Sequence, residues 1–349
     1  MWQASVWAAH GMRLEARSYM PRSTAVVLVT IGTLVLRSTP ATVERSHALA
    51  AEPAAVQIEM RNVRLHMDQS VVLDVQQLRG AMISTSDGPP VFDDQKSYVM
   101  RIGEATVSMD MASVTNLMNR YAFGYEGAPL EHVKAQVDDG KLRLSGTLRK
   151  GIGIPFSSKA TVSVSDDGRL RFHVESLKTA GVPAKGLLGF FGLELDDVVS
   201  LKERRGVDVQ ENDILISPGQ VLPPPRMHGR VVQASLHGDR LVQTLRGETA
   251  QRAVVLHKPS PSARNYIYFG GGDIRFGKLT MHDADLQLID SDPRDPFDFY
   301  PARYNAQLVA GYSKNTPSHG LKTYMPDFDD LVKKTRSATR SGAQVPNAR

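Results

Sequence analysis

Few stretches of this chain set chemically useful side chains close together. The densest is Asp290-Ser291-Asp292-Pro293-Arg294-Asp295-Pro296-Phe297-Asp298. Its carboxylates are of the type that binds a hard cation, because calcium is held by several oxygens at tight spacing. An EF-hand loop also needs a glycine at its sharp turn and a terminal Glu, and both are missing here. The stretch therefore reads as a solvated, proline-stiffened loop without a metal. Upstream, His282-Asp283-Ala284-Asp285 places an imidazole beside two carboxylates. On a strand, alternation puts His282 on the face of Ala284 and opposite Asp283, so the pair does not converge. No Gly-x-Ser-x-Gly elbow supplies a nucleophile. Gly270-Gly271-Gly272 precedes a strand pattern, so it offers no helix N-terminus to a phosphate and reads as a bulge or hairpin turn. Cysteine is absent, which excludes disulfides, thiolate metal sites and cysteine nucleophiles. The expectation is a non-enzymatic protein with no cofactor and no metal. A hydrolase using the acidic residues of 282–298 with His282 is the alternative from catalysis.

The elements that would position any site begin with an address. Thr24 to Leu36 is the one long apolar run, preceded by Arg13, Arg17 and Arg22 and followed by Ala48-Leu49-Ala50. Basic flank, short apolar core and small-x-small box are the parts of an export signal. The run falls short of the roughly 20 residues that span a bilayer. Residues 1–50 are thus expected to be a signal peptide cleaved after Ala50, with an uncleaved anchor as the alternative and Met12 or Met20 as alternative starts. The remainder carries 37 Lys and Arg against 35 Asp and Glu, a net charge near +2. No basic run interleaved with aromatics appears, which argues against nucleic acid. The expected localisation is the periplasm or cell envelope, and the expected partner is lipid or a membrane surface.

Residues 56–108 alternate as strands do: Val63, Leu65 and Met67 form one row, and Val71, Leu73 and Val75 another. Tyr98, Met100 and Ile102 then change phase into Val107 and Met109. From Met111 the period becomes helical through Val114, Leu117, Met118 and Tyr121, with Ser108 or Asp110 placed as a cap. Two hairpins follow, turning at Asp138-Asp139-Gly140 and Asp166-Asp167-Gly168, where glycine supplies the positive φ that such turns need. Residues 182–201 are the most apolar segment after the signal and read as a helix starting at Pro183. Short strands are expected at Gly206–Val209, Ile214–Ile216, Val231–Leu236 and Leu241–Leu245, with an extended Leu222-Pro223-Pro224-Pro225 connector. A last β block runs from Asn265 to Ile289, Tyr304–Ala310 reads as one more strand, and 333–349 reads as a disordered tail.

In order, these features are hairpin Val133 to Leu148, hairpin Ala160 to Val174, apolar helix Ala184 to Leu201, Gly206-Val207-Asp208-Val209, Asp213-Ile214-Leu215-Ile216, and Leu222-Pro223-Pro224-Pro225 before a final strand pair. Residues 130–245 thereby resemble the LmeA-like family of exported phospholipid-binding proteins, whose fold is similar to the tubular lipid-binding superfamily. The resemblance covers about one third of the chain and rests on strand and turn patterns. It implies a curled sheet wrapped on a long helix, with acyl chains held between them.

The expected fold is α+β, a mostly antiparallel curled β-sheet with two main helices at about 110–122 and 183–201. Residues 51–250 would form the lipid-binding-like domain and 263–330 a C-terminal β-rich extension. The expected function is binding of lipid acyl chains in an apolar cleft between sheet and helix. Leu187, Leu188, Phe190, Phe191, Leu195, Val198 and Val199 would line that cleft, with Lys150, Lys159 and Lys185 at its mouth. An envelope structural or assembly protein without a pocket is the alternative.

Overall fold

A computed structural model describes residues 55–150, 152–179, 182–183, 206–247, 263–333 and 337. Strands β1 (Val56–His66), β2 (Val72–Ser84) and β3 (Tyr98–Asp110) form from the alternating rows and pair antiparallel. The phase change in β3 is a β-bulge. Register steps from Gly80 opposite Ile102 to Arg79 opposite Glu104, leaving Gly103 as the extra residue. One inserted residue flips every later side chain, so the buried row resumes at Ala105, Val107 and Met109.

Helix α1 (Met111–Leu117) starts where the Asp110 carboxylate accepts from Ser113 N at 2.7 Å, and a π turn continues it over Met118–Ala122. The expected helix at 110–122 is thus present. It also covers a sheet edge: Ala135 N donates to Thr115 Oγ1 at 3.0 Å and Val133 N to Asn119 Oδ1 at 2.8 Å. These bonds satisfy backbone donors that an edge strand leaves open.

That edge belongs to a second sheet. β4 (Leu130–Asp138), β5 (Lys141–Lys150), β6 (Ile152–Val164) and β7 (Leu170–Thr179) form the antiparallel meander that the two Asp-Gly turns specify. Asp139 and Gly140 both sit at positive φ, 54° and 71°. β8 (Val182–Pro183) pairs with β7, so Pro183 lies on a strand rather than in a first helical turn. The rest of the expected 183–201 helix lies outside the described residues. β9 (Val207–Gln210) and β10 (Asp213–Ile216) complete this seven-stranded sheet in the order β4-β5-β6-β7-β10-β9.

After the short helix α2 (Pro218–Val221), the chain returns to the first sheet with β11 (Arg226–His228), β12 (Arg230–His237) and β13 (Arg240–Arg246). The later elements are β14 (Tyr266–Gly270), β15 (Ile274–Phe276), β16 (Leu279–Met281), β17 (Asp285–Asp290), β18 (Phe297–Phe299), α3 (Tyr304–Ala310), β19 (Tyr312–Asn315) and β20 (Leu321–Met325). The large sheet has eleven strands in the order β12-β13-β3-β2-β1-β14-β17-β20-β19, with β11 on β3 and β18 on β1. β14 pairs with β1, so the C-terminal block extends the N-terminal sheet.

The structure is β-rich and mostly antiparallel, and it corrects the finer expectation of a curled antiparallel sheet wrapped on a helix. Both sheets are open, and the large one is mixed, with parallel pairs β1–β18, β3–β11 and β17–β20. Inward rows of both sheets enter one core, from Leu73 and Val107 on one side to Leu170 and Phe172 on the other. Each sheet covers the other's apolar face, so curling is not needed to bury it.

Two C-terminal expectations also change. Tyr304–Ala310 is helical, with Tyr304 and Gln307 buried three residues apart. Gln307 accepts from Tyr300 N and donates to Asp298 O and Pro326 O, so a polar residue anchors the element. The Asp-rich loop contains β18, whose three residues are all buried. Among the described residues no helix is long and apolar enough to cross a membrane.

Candidate binding site

Where the two sheets face each other, their inward side chains do not quite fill the space. Leu78 of β2, Ile102 and Val107 of β3, and Leu241 and Leu245 of β13 face Leu170 and Phe172 of β7 and Ile216 of β10. Val114 and Leu117 of α1 close one side and Val221 of α2 another, enclosing an apolar cavity of 60 Å³. A water needs about 10–15 Å³ of such volume, so the cavity would hold only a few. Its apolar wall has one interruption: Gln243, 5 % exposed, takes an inward position between Leu241 and Leu245. Gln243 Oε1 has no hydrogen-bond partner among the described residues. A buried acceptor left open costs roughly 1–3 kcal/mol, and such an atom in a native wall calls for a partner.

A second apolar cavity of 40 Å³ lies further along the large sheet, against Met60, Met67, Met82, Met100, Phe92 and Phe299. Leu73, Leu78 and Met227 belong to the walls of both cavities. Methionine is unbranched and polarizable, so walls of this composition repack readily around an inserted group.

Met227 also borders a third space, a polar pocket of 460 Å³. Asp167, Gly168 and Arg169 of the β6–β7 turn, residues 217–220 at α2, and Arg226 to Arg230 line it. The local folding is tight. A Cβ on Gly219 would stand 1.9 Å from Met227 O, so only glycine lets α2 lie against β11. Val231 N donates to Gly168 O at 2.8 Å, which ties the turn of the small sheet to the large one. Arg169 is neutralised in place, 2.6 Å from Asp167 and 3.1 Å from Asp208. Arg230 reaches only the Asp166 backbone carbonyl, at 3.5 Å, and no carboxylate pairs with Arg226 or Arg230 among the described residues.

The carboxylates singled out in the sequence are arranged differently. His282 sits at the surface with Nδ1 2.9 Å from Asp273, rather than on Asp283 or Asp285. Asp292 is held by Arg294 on the exposed part of the loop. Asp290 and Asp298 are buried, at 4 % and 6 % exposure. Asn265 donates to Asp290 at 2.9 Å, while Asp298 takes His66 Nε2 at 2.5 Å and Asp329 N at 2.9 Å. Asp298 N in turn donates to Asp327, whose carboxyl is pushed up to about 7 by burial and by the charges of Asp290, Asp295 and Asp298. His66, Asp298 and Asp329 offer ligand atoms within 4.8 Å of one another. A metal there would have to compete with the hydrogen bonds that already occupy both oxygens of Asp298. Sequence inspection missed His66, Asp327 and Asp329 because they are distant in the chain.

Of the expected lipid-lining residues, Leu187, Leu188, Phe190, Phe191, Leu195, Val198 and Val199 lie outside the described residues, as do Lys185 and the Lys150 side chain. Lys159 pairs with Asp138 at 2.9 Å, with both side chains about two-fifths exposed, and is not among the residues lining the cavity. Arg226 and Arg230 instead line a polar pocket that shares Pro218 and Met227 with the apolar cavity. Their signal was present in Arg226-Met227-His228-Gly229-Arg230, where period two sets Arg226, His228 and Arg230 on one face and Met227 on the other. Comparison of the chain with protein-family models, with curated proteins and with solved structures finds no match.

Proposed function

We propose that this chain is an exported, non-enzymatic envelope protein that binds a lipid, with acyl chain held in the apolar space between the two sheets. The observation that carries the reading is the underfilled, methionine-rich core, with a 60 Å³ and a 40 Å³ cavity sharing Leu73, Leu78 and Met227. The export-type segment around Thr24–Leu36 supports the compartment. Burying an acyl chain gains about 25 cal/mol per Å² removed from water. Drug-sized ligands occupy pockets of about 300–1,000 Å³, so uptake requires the cavity walls to move apart. Native mass spectrometry of the chain recovered from a bacterial envelope tests this. A bound mass of one lipid is expected; a clean apo mass, with no binding to anionic or neutral vesicles, would overturn the reading.

One observation favours a second reading, an envelope assembly protein without a ligand. β19 is an edge strand with all four residues exposed, Tyr312 at 52 % among them, and Val309 just before it is 86 % exposed. Unpaired edges of this kind template another strand. This reading expects the lipid-free chain to self-associate in sedimentation experiments, and Val309→Asp to abolish that association.

A further inference from the structure

Resting on the lipid reading above, we propose that the polar pocket beside the apolar cavity is an anion site, and that Arg226 and Arg230 in it bind a phosphate group. Three observations place it there. The pocket and the cavity share Pro218 and Met227, so an anion in the pocket is one side chain away from the apolar space. Arg226, His228 and Arg230 recur at alternate positions along one extended stretch, so their side chains leave the same face. Among the described residues the one carboxylate that lines the pocket, Asp167, is already matched by Arg169 at 2.6 Å, which leaves Arg226 and Arg230 in excess.

The chemistry favours phosphate over a carboxylate or a neutral polar group. A guanidinium presents paired N–H donors in a planar fork that matches two phosphate oxygens, and it remains charged at any physiological pH. His228 adds an imidazole N–H donor. Arg230 keeps its Cβ close to Gly168 while its guanidinium stays exposed, with Nη2 3.5 Å from Asp166 O. The pocket volume of 460 Å³ leaves room for a phosphate with a substituent, which would suit a lipid head group with its acyl part on the far side of Met227.

The shared chemistry, a phosphate, can be supplied by a phospholipid head group or by free phosphate, and the test separates them. The full chain is titrated with short-chain phosphatidylglycerol, with diacylglycerol of the same acyl length, and with inorganic phosphate. Wild type, Arg226→Gln/Arg230→Gln and Arg226→Lys/Arg230→Lys are compared, each checked by a melting curve. Wild type is expected to bind the phospholipid about tenfold or more tighter than the diacylglycerol, the scale of hydrogen bonds to charged groups. That ratio should fall toward one in the Gln pair and recover partly in the Lys pair. Binding of inorganic phosphate alone, lost in the Gln pair, would support the anion site while removing the lipid reading. Equal wild-type affinity for phospholipid and diacylglycerol would overturn the anion site and leave acyl binding standing. Binding of none of the three ligands would overturn both.

Discussion

Two regions of the large sheet bury opposite kinds of side chain. Around β2, β3 and β13 the wall is aliphatic, incompletely filled, and broken only by Gln243 with an open acceptor. Around β18 and just after β20 the protein buries Asp298 and Asp327, and Asp290 lies nearby at the end of β17. Each of these carboxylates has hydrogen-bond partners. The lesson concerns spare capacity. A wall that is underfilled and leaves a polar atom open has something to gain from a guest, whereas a network whose donors and acceptors are consumed has only something to lose. Carboxylate density drew attention in the sequence, yet the region it marks is built as a fixed joint.

The contrast can be broken most sharply at Asp298. Asp298→Ala leaves His66 and the Asp329 amide without their acceptor, and a loss of about 3 kcal/mol is expected in urea unfolding. An unchanged midpoint would mean that the carboxylate region is not a structural joint. Next comes pH. Asp327 titrates near 7 when folded and near its ordinary 3.8 when unfolded, so between those values the unfolded chain gives up the proton first. Stability from this group is therefore greatest below about pH 4, falls as pH rises to about 7, and is flat above. Asp327→Asn should remove this decline, an effect of about 4 kcal/mol at full strength and on the order of 2 kcal/mol once solvent screening is allowed for, visible in melts between pH 4 and 7. Asp290, also raised by burial, remains and will leave a residual slope.

Smaller effects sharpen the other region. Gln243→Leu replaces the open acceptor by an apolar group of similar size and should stabilise the empty protein by about 1 kcal/mol. The same change should weaken any ligand that donates a hydrogen bond there, so the melting gain and the affinity loss are measured on one variant. Ala105→Val adds carbon to the wall of the 60 Å³ cavity. If the space is spare, the change should be neutral to stabilising by up to about 0.5 kcal/mol and should reduce lipid uptake. A loss of 1 kcal/mol or more would show the wall to be already close-packed.

Local rules were legible to very different extents. Both Asp-Gly hairpins, the Asp110 cap and the rows of β1 to β3 follow from short-range preferences, and they stand where the residues indicate. The phase change after Ile102 was visible as a pattern, but only pairing with β2 turns it into a bulge at Gly103. α3 was misread as a strand because Tyr304–Ala310 is short and its helical identity is set by Gln307, which reaches partners on β18 and at Pro326. The parallel pairs of β11 and β18 were invisible for the same reason: each is a three-residue strand that takes the length of its neighbour left over by another strand. Of the candidate site, the aliphatic rows could be read directly. Arg226 and Arg230 were missed because charged residues on an exposed strand face are ordinary. Only the approach of the β6–β7 turn makes a concave pocket of them.

The placement of Met227 has a further consequence for the three spaces. The side chain borders both apolar cavities and the polar pocket, and it rides on β11, which meets β3 over Arg226–His228 alone. β13 grips the same strand over Arg240–Arg246. The divider between the three spaces therefore rides on three residues of sheet pairing and on the close packing of α2 against Met227, so a change at this one position alters the walls of all three spaces at once.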